Sequence, residues 1–230
     1  MIKSIHTKLL FVLLTIVFVW DLAFITMDYS AWRFFTKPLL LPIIGLLYYT
    51  YSKQGLFPMN RWFLSGLGLS FLGDVFLLFG WGFIPGLGSF LLAHICYIVY
   101  FFKIKKNDVW GALPFVLLYL SSFLYYIYPY LNEMRIPVIV YGITIATMLY
   151  CSITTRSLLL LIGAILFVVS DSVLAINMFV QNTIGKELIV MITYVFAQLM
   201  LVLGVVNLEK KTEVFNKNET YERKDNRFFS

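Results

Sequence analysis

Long apolar stretches, separated by short polar linkers, follow one another along almost the whole chain. Each is about as long as the ~20 residues that a helix needs to cross the hydrocarbon core of a bilayer. Transmembrane strands would be shorter and would alternate polar and apolar residues, and the chain shows no such alternation. The pattern therefore predicts eight transmembrane helices, at residues 8–27, 37–53, 61–80, 85–103, 111–128, 133–151, 157–179 and 187–207.

The composition agrees with this pattern. Hydrophobic residues make up 60% of the chain and charged residues 13%, whereas soluble domains are about 45–50% apolar and about 25% charged. The chain has too few polar side chains to cover a water-soluble particle, and its predicted fold class is an all-α polytopic membrane protein. Because the apolar pattern stops at Leu208, residues 1–207 are predicted to form the transmembrane domain and residues 208–230 a disordered, charged cytoplasmic tail.

The distribution of basic residues predicts the orientation, because cytoplasmic loops are rich in Lys and Arg. With a cytoplasmic N-terminus, that side carries Lys3, Lys8, Lys53, Arg61, Lys103, Lys105, Lys106, Arg156, Lys210 and Lys211. The other side carries only Arg33, Lys37, Arg135 and Lys186. Both termini are therefore predicted to be cytoplasmic, in the plasma membrane if the protein is bacterial. The net charge of +6 suits anionic membrane lipids, and no basic stripe or phosphate-binding glycine loop indicates a nucleic-acid partner.

Several polar or ionisable side chains fall inside the predicted helices, where a charge costs roughly 2.5–3.5 kcal/mol on insertion scales. They are Asp21, Asp74, His94, Asp171, Tyr194 and Gln198. At a rise of ~1.5 Å per residue, all of them lie in one layer, in the outer half of a core ~30 Å thick. Lys37 lies at the outer rim above this layer, where it opens the second predicted helix directly before Pro38. The common depth predicts one shared polar site.

These residues also have structural interpretations. A carboxyl group in a membrane helix can be neutral and bonded to a neighbouring helix, and this interpretation applies most to Asp21. The polar side chains of the fourth and eighth predicted helices can hold helices together by hydrogen bonds. Lys37 can be an anchor that extends to the membrane interface. The pair formed by Asp74 and Asp171 favours a functional site.

Two segments of the chain resemble each other, residues 73–77 (Gly-Asp-Val-Phe-Leu) and residues 170–174 (Ser-Asp-Ser-Val-Leu). Each lies in the third helix of a four-helix half. The similarity predicts a 4+4 parallel internal repeat, with the two Asp residues at equal depth. Small residues on the same helices, among them Gly66, Ser70 and Gly163, would allow a close approach of helices that could bring the two carboxyl groups together.

An ordered set of short motifs runs through predicted helices 2 to 8. It comprises Lys37-Pro38-Leu39, Gly73-Asp74-Val75-Phe76-Leu77, His94, Ser170-Asp171-Ser172-Val173-Leu174 and Thr193-Tyr194-x-x-Ala197-Gln198. In order and spacing the set resembles the YhhN family, whose animal members are called transmembrane protein 86, the lysoplasmalogenases. The resemblance implies an eight-helix membrane hydrolase that cleaves the vinyl ether bond of lysoplasmalogens, releasing a fatty aldehyde and a glycerophosphoethanolamine or glycerophosphocholine. It does not fix the substrate, because many bacteria make no plasmalogens.

The same residues could carry out this chemistry. A vinyl ether hydrolyses by protonation of its β-carbon, which creates an oxocarbenium ion, and water then adds to the cation. The reaction needs a proton donor, a negative charge and a base, and two carboxyl groups in unlike surroundings supply all three, as in glycosidases. The predicted catalytic residues are Asp74 and Asp171, with the acid and the base unassigned.

Other polar residues are predicted to support this pair. The predicted substrate-binding or supporting residues are Lys37, His94, Tyr194, Gln198, Asp21 and Asn177. Lys37 would hold the substrate phosphate as a point charge. No metal or other cofactor is expected, because a single intramembrane His with scattered carboxylates is a poor zinc-binding set.

Functions of other classes stay open at this point. The main alternative is a proton-coupled small-molecule transporter, because intramembrane Asp and His residues are typical of proton relays. An intramembrane aspartyl protease fits less well, since its Gly-x-Gly-Asp motif would need Gly where the chain has Phe71. A structural or receptor-like membrane protein is the third alternative. The sequence does not determine the head group, the chain length, the leaflet to which the site opens or the oligomeric state.

Overall fold

The protein is built from helices throughout the part of the chain that the structure describes. The computed structural model describes residues 2–55, 57–181 and 184–228, which contain eight α-helices, three short 3₁₀-helices and no strand. The α-helices are α1 (Ile2–Thr26), α2 (Ser30–Gly55), α3 (Arg61–Phe76), α4 (Phe83–Lys103), α5 (Leu113–Ile127), α6 (Arg135–Thr154), α7 (Leu158–Phe179) and α8 (Ile184–Phe228). The 3₁₀-helices are Trp110–Ala112, Tyr128–Tyr130 and Asn132–Met134. The predicted all-α class is confirmed.

Six stretches of the described chain are long and apolar enough to cross a membrane. They are Ile5–Thr26, Phe83–Lys103, Trp110–Tyr130, Asn132–Thr154, Leu158–Phe179 and Gly185–Phe215. Many large apolar side chains on them face outward, for example Phe115 and Ile136, which are 74% and 76% exposed. Soluble proteins rarely expose such a surface, and the chain is therefore a multi-pass integral membrane protein. Helices α2 and α3 are not among the six, so the count of eight spans stays a prediction.

Helix α2 begins earlier than its apolar pattern indicates. It starts at Ser30, so Lys37, Pro38 and Pro42 all lie inside the helix. The prediction that Lys37 opens this helix is therefore wrong. An internal proline removes one backbone hydrogen bond and normally kinks a helix, but it is tolerated in membrane helices where neighbouring groups satisfy the freed carbonyl. The added turns carry Arg33 into the bundle, where its side chain is only 12% exposed.

Helix α3 is defined at both ends by local interactions. The side chain of Asn60 caps its first turn by accepting hydrogen bonds from the backbone N–H groups of Trp62 (3.0 Å) and Phe63 (3.4 Å). The helix ends at Phe76, four residues before the predicted end. A tight turn then leads into α4, and it requires glycine at position 82, because a Cβ there would lie 1.8 Å from the carbonyl oxygen of Phe76.

Two helix pairs, α3 with α4 and α7 with α8, make the most extensive contacts in the described bundle. Glycine allows both close approaches. A Cβ on Gly66 would lie 2.4 Å from the ring of Tyr97, and a Cβ on Gly163 would lie 2.9 Å from the side chain of Leu201. Both glycines thus lie at close helix contacts, as predicted, but each contact is with the next helix in the chain and not between α3 and α7, the helices that carry Asp74 and Asp171. In each half of the chain, the third and fourth helices pack closely against each other, which agrees with a 4+4 repeat. The repeat itself stays a prediction.

Helix α8 continues past the end of its apolar stretch, as far as Phe228. Packing against the bundle continues at least to Glu209, whose carboxylate accepts a 2.9 Å hydrogen bond from the Tyr100 hydroxyl. The described backbone is thus helical where the sequence predicts a disordered tail. The division of the chain at residue 208 stays a prediction.

Candidate active site

A cavity of about 190 Å³, which we call the carboxyl cavity, lies between α2, α3, α4, α7 and α8. Asp74 of α3 and Asp171 of α7, the predicted catalytic residues, both line it. Lys37, Asn177 and Tyr194 line it as well. A space of this volume can hold several water molecules. The structure therefore brings the two carboxyl groups, which are far apart in the sequence, to one cavity that is large enough for several water molecules.

Asp74 faces a cation and a hydroxyl group. Asp74 is only 3% exposed. The hydroxyl of Tyr194 donates a 2.8 Å hydrogen bond to Oδ2, and Nζ of Lys37 lies 3.7 Å from Oδ1. An opposite charge at this distance in a poorly solvated site favours the ionised form of a carboxyl group. Lys37 and Tyr194 therefore offset part of the cost of burying a negative charge at Asp74.

Asp171 has different neighbours. The hydroxyl of Tyr141 donates a hydrogen bond to its Oδ2 atom, and Nε2 of His94 lies 3.9 Å from the same atom, beyond hydrogen-bond distance. Within the described residues, no Lys or Arg forms an ion pair with Asp171. Its side chain is 11% exposed. Burial without a basic partner favours the neutral form of a carboxyl group, so the two carboxyl groups of the cavity lie in unlike electrostatic surroundings.

A second ionic cluster adjoins the carboxyl cavity through Arg33. Arg33 and Glu187 both line the cavity and form an ion pair. Behind them, the fully buried Asp21 lies 3.5 Å from Nε of Arg33 and accepts a 2.7 Å hydrogen bond from the Thr36 hydroxyl. Asp21 does not line the cavity. It is placed to orient Arg33 rather than to contact a molecule in the cavity.

His94 and Gln198 are fully buried and also lie outside the lining of the cavity. The ring of His94 packs edge-on against Phe167, with 4.6 Å between the ring centroids, and neither ring nitrogen has a hydrogen-bond partner among the described residues. Gln198 accepts a 2.9 Å hydrogen bond from the Tyr97 hydroxyl. Both side chains can support the cavity walls but do not reach its interior.

The family of the chain follows from its sequence match. Residues 32–205 match the YhhN family. The chain belongs to the YhhN family. The family resemblance that the ordered motifs indicate is therefore confirmed. Every residue of the carboxyl cavity named above lies within the matched range, whereas Asp21 lies outside it.

Curated relatives of this YhhN protein carry one functional name. The lysoplasmalogenase of Mycobacterium tuberculosis (strain CDC 1551 / Oshkosh) is 27% identical over 63% of this chain and 60% of its own length. Lysoplasmalogenase TMEM86B of Homo sapiens is 32% identical over 62% of each chain, and that of Mus musculus is 34% identical over 64% of this chain and 65% of its own. The YhhN chain thus spans less than two thirds of the length of these relatives. No solved structure matches it significantly.

Three residues of this candidate site in the YhhN protein could not be identified from the sequence. The hydrophobicity pattern places Arg33 in the linker before the second predicted helix. Its side chain points into the bundle because α2 begins earlier, at Ser30. Glu187 stands at the predicted start of α8, where an acidic residue normally faces solvent. Tyr141 is one of 15 tyrosines in the chain. Only its contact with Asp171 distinguishes it from the others.

Proposed function

We propose that this YhhN protein is a membrane-embedded lipid hydrolase that cleaves the vinyl ether bond of lysoplasmalogens, releasing a fatty aldehyde and a glycerophosphoethanolamine or glycerophosphocholine. One observation carries the proposal: Asp74 and Asp171 line the same cavity in unlike electrostatic surroundings. The lysoplasmalogenase names of the relatives support it. The substrate is a lysophospholipid drawn from the surrounding membrane lipids.

Asp171 is the general acid in this proposal. Tyr141 donates to Oδ2, which leaves Oδ1 free to carry a proton. Transfer of that proton to the β-carbon of the vinyl ether forms a C–H bond and leaves an oxocarbenium ion on the neighbouring carbon. The carboxylate of Asp74 stabilises this positive charge. Tyr194 and Lys37 hold the carboxylate in place through the contacts described above.

Water completes the reaction. It adds to the oxocarbenium carbon and gives one proton to the Asp171 carboxylate, which restores the acid. The hemiacetal then collapses: its hydroxyl group loses a proton, the bond between this carbon and the glycerol oxygen breaks, the glycerol oxygen takes up a proton, and the aldehyde is released with no net change in protons. Lys37 and Arg33 provide positive charge for the substrate phosphate. Asn177 lines the cavity and is assigned to substrate binding.

We further propose that all eight helices cross the membrane, with both termini in the cytoplasm. The two charged residues in the first half of α2, Arg33 and Lys37, do not face lipid, since Lys37 is buried and the side chain of Arg33 is only 12% exposed. A polar residue inside the bundle costs less than one that faces lipid, so α2 can cross. Fluorescent and alkaline-phosphatase reporters fused after the ends of successive helices test this topology, and reporters that place both ends of α2 on one side would contradict it.

The activity is tested with purified protein in detergent micelles. Aldehyde release is measured from a lysoplasmalogen, and fatty-acid release is measured from a lysophospholipid with an acyl ester in place of the vinyl ether. We expect release from the vinyl ether substrate alone, and its loss in the Asp74→Asn and Asp171→Asn variants. Asp28→Asn is the matched control, since Asp28 is exposed in a turn at φ 57°, which Asn also adopts.

Either of two results would contradict the proposal. Undiminished release by both Asp variants would remove the carboxyl pair from the mechanism. Uptake of a solute into proteoliposomes without any cleaved lipid in mass spectra would instead favour the proton-coupled transporter, for which the buried pair of Lys37 and Asp74 could serve as a proton site.

A further inference from the structure

A second, smaller cavity lies directly beside the carboxyl cavity. Its volume is about 40 Å³, and helices α4, α6 and α7 form most of its walls. We call it the apolar chamber. The two cavities share four lining residues, Leu77, Phe90, Asp171 and Leu174. Asp171 therefore borders a polar cavity and an apolar one at the same time.

The described walls of the apolar chamber are almost entirely hydrocarbon. Leu87, Val138 and Ala175 line it and are absent from the lining of the carboxyl cavity. Its polar side chains are Asp171 and Tyr141, and the Tyr141 hydroxyl donates to the Asp171 carboxyl group. Charged or zwitterionic groups would lose their hydration here without compensation. A hydrocarbon segment is the chemical group that fits.

The carboxyl cavity has the opposite character. Arg33, Lys37 and Glu187 line it, and Ala175 and Leu87 do not. Charged groups of both signs suit a zwitterionic phosphate head group. The two carboxyl groups thus line a cavity with charged walls, and the apolar chamber adjoins that cavity at Asp171. In a lysoplasmalogen, the vinyl ether occupies the corresponding position, between the glycerophosphate part and the hydrocarbon tail.

We propose that the apolar chamber binds the first carbons of the alkenyl chain and thereby sets the orientation of the substrate. The glycerophosphate part then lies in the carboxyl cavity, and the vinyl β-carbon lies against Asp171. This inference rests on the proposed function and adds to it a tail-binding site. A volume of about 40 Å³ accommodates only the beginning of the alkenyl chain. The chamber therefore distinguishes between substrates by the carbons next to the vinyl ether.

Ala175→Phe tests the chamber, because it fills the space without changing a charged residue. Two substrates are compared that share one head group, an ethenyl ether without a tail and a hexadecenyl ether. We expect the variant to lose roughly tenfold or more in kcat/KM for the hexadecenyl ether, in line with steric exclusion from an apolar site, and to lose much less for the ethenyl ether, which has no tail to exclude. Ala31→Phe, at an exposed position of α2, is the control. Equal losses on both substrates, or no loss on either, would overturn the proposal.

A binding measurement separates this inference from the activity. A lysolipid with a saturated alkyl ether cannot be cleaved by the proposed route, and a photoreactive diazirine on its first chain carbons reports where the tail starts. Labelling of α7 at residues 174–175 or of α4 at Leu87 supports the chamber, and labelling confined to other helices overturns it. If the wild-type protein labels there but releases no aldehyde, the proposed function fails and the tail-binding site stands. Should Ala175→Phe not fold, Ala175→Leu with the same labelling gives the same decision.

Discussion

The ammonium group of Lys37 lies 3.7 Å from Oδ1 of Asp74, in the interior of a membrane-embedded bundle. Both side chains are at least nine-tenths buried. Two charges are costly to bury, and their attraction offsets this cost only when both are present. The pair therefore couples the stability of the bundle to the charge state of the proposed site, and it distinguishes Asp74 from Asp171.

Removing the cation of this pair should destabilise the protein. In Lys37→Met, Asp74 is left buried without a basic partner, and we expect a loss of about 3 kcal/mol in the free energy of unfolding together with a large loss of aldehyde release. The double variant Lys37→Met/Asp74→Asn should recover part of the stability but not the activity. Thermal unfolding in detergent measures the first effect. Lys53→Met, at an exposed position of the same helix, should change neither quantity.

Arg33 should act on binding of the substrate phosphate. We expect Arg33→Met to raise KM roughly tenfold for a phosphate-bearing substrate, because a hydrogen bond to a charged group contributes about 1.5–3 kcal/mol. The corresponding alkenylglycerol, which lacks the phosphate, should show no such change. Arg135→Met, at the exposed start of α6, is the control. An equal rise in KM for both substrates would assign Arg33 a structural role only.

Asp21 should act through Arg33. Asp21→Asn keeps the size of the side chain and can still accept the hydrogen bond from Thr36, but it loses the charge that faces the guanidinium group. We expect a smaller rise in KM than for Arg33→Met, again limited to the substrate that carries a phosphate. Since residues that share one network are not additive, the double variant should resemble Arg33→Met. Additive effects in the double variant would mean that Asp21 acts independently of Arg33.

Tyr141 should affect kcat more than KM. Its hydroxyl donates to Oδ2 of Asp171, whereas Oδ1 carries the transferred proton in the proposed mechanism. Tyr141→Phe should therefore disturb the position of the acid and lower kcat about tenfold, or ~1.4 kcal/mol. Tyr126→Phe is a suitable control, since Tyr126 is 49% exposed. A variant with unchanged kcat would show that Asp171 does not need this hydrogen bond.

Two glycines on α3 provide a matched test of helix packing. A methyl group on Gly66 would collide with the buried ring of Tyr97, whereas nothing lies within 4 Å of a Cβ on Gly68. We expect Gly66→Ala to lower the free energy of unfolding by about 1–3 kcal/mol through overpacking. Gly68→Ala should be neutral or stabilising, because Ala is the better helix former. Comparison of the two melting temperatures decides the prediction.

Some features of the site could be predicted from local sequence, and others could not. A common depth for Asp74, Asp171 and Tyr194 is predicted from their positions along apolar stretches, because the rise per residue of a helix is constant. The sequence places Arg33 in a linker, because hydrophobicity cannot show that a helix with two internal prolines begins seven residues before its predicted start. His94 is predicted to lie at the same depth, yet its ring packs against Phe167 and does not line the cavity.

The amino-acid sequence alone is enough to identify a helical membrane protein of the YhhN family with several polar residues inside its helices. The length of an apolar stretch and the cost of a charge in lipid are properties of single segments, and they can be evaluated without a partner. Only the tertiary structure decided that Lys37 faces Asp74, that Tyr141 faces Asp171, and that a hydrocarbon chamber adjoins the second carboxyl group. Those relationships depend on the rotation of each helix about its axis and on which helices are neighbours, and both are set by packing between segments that are distant in the chain.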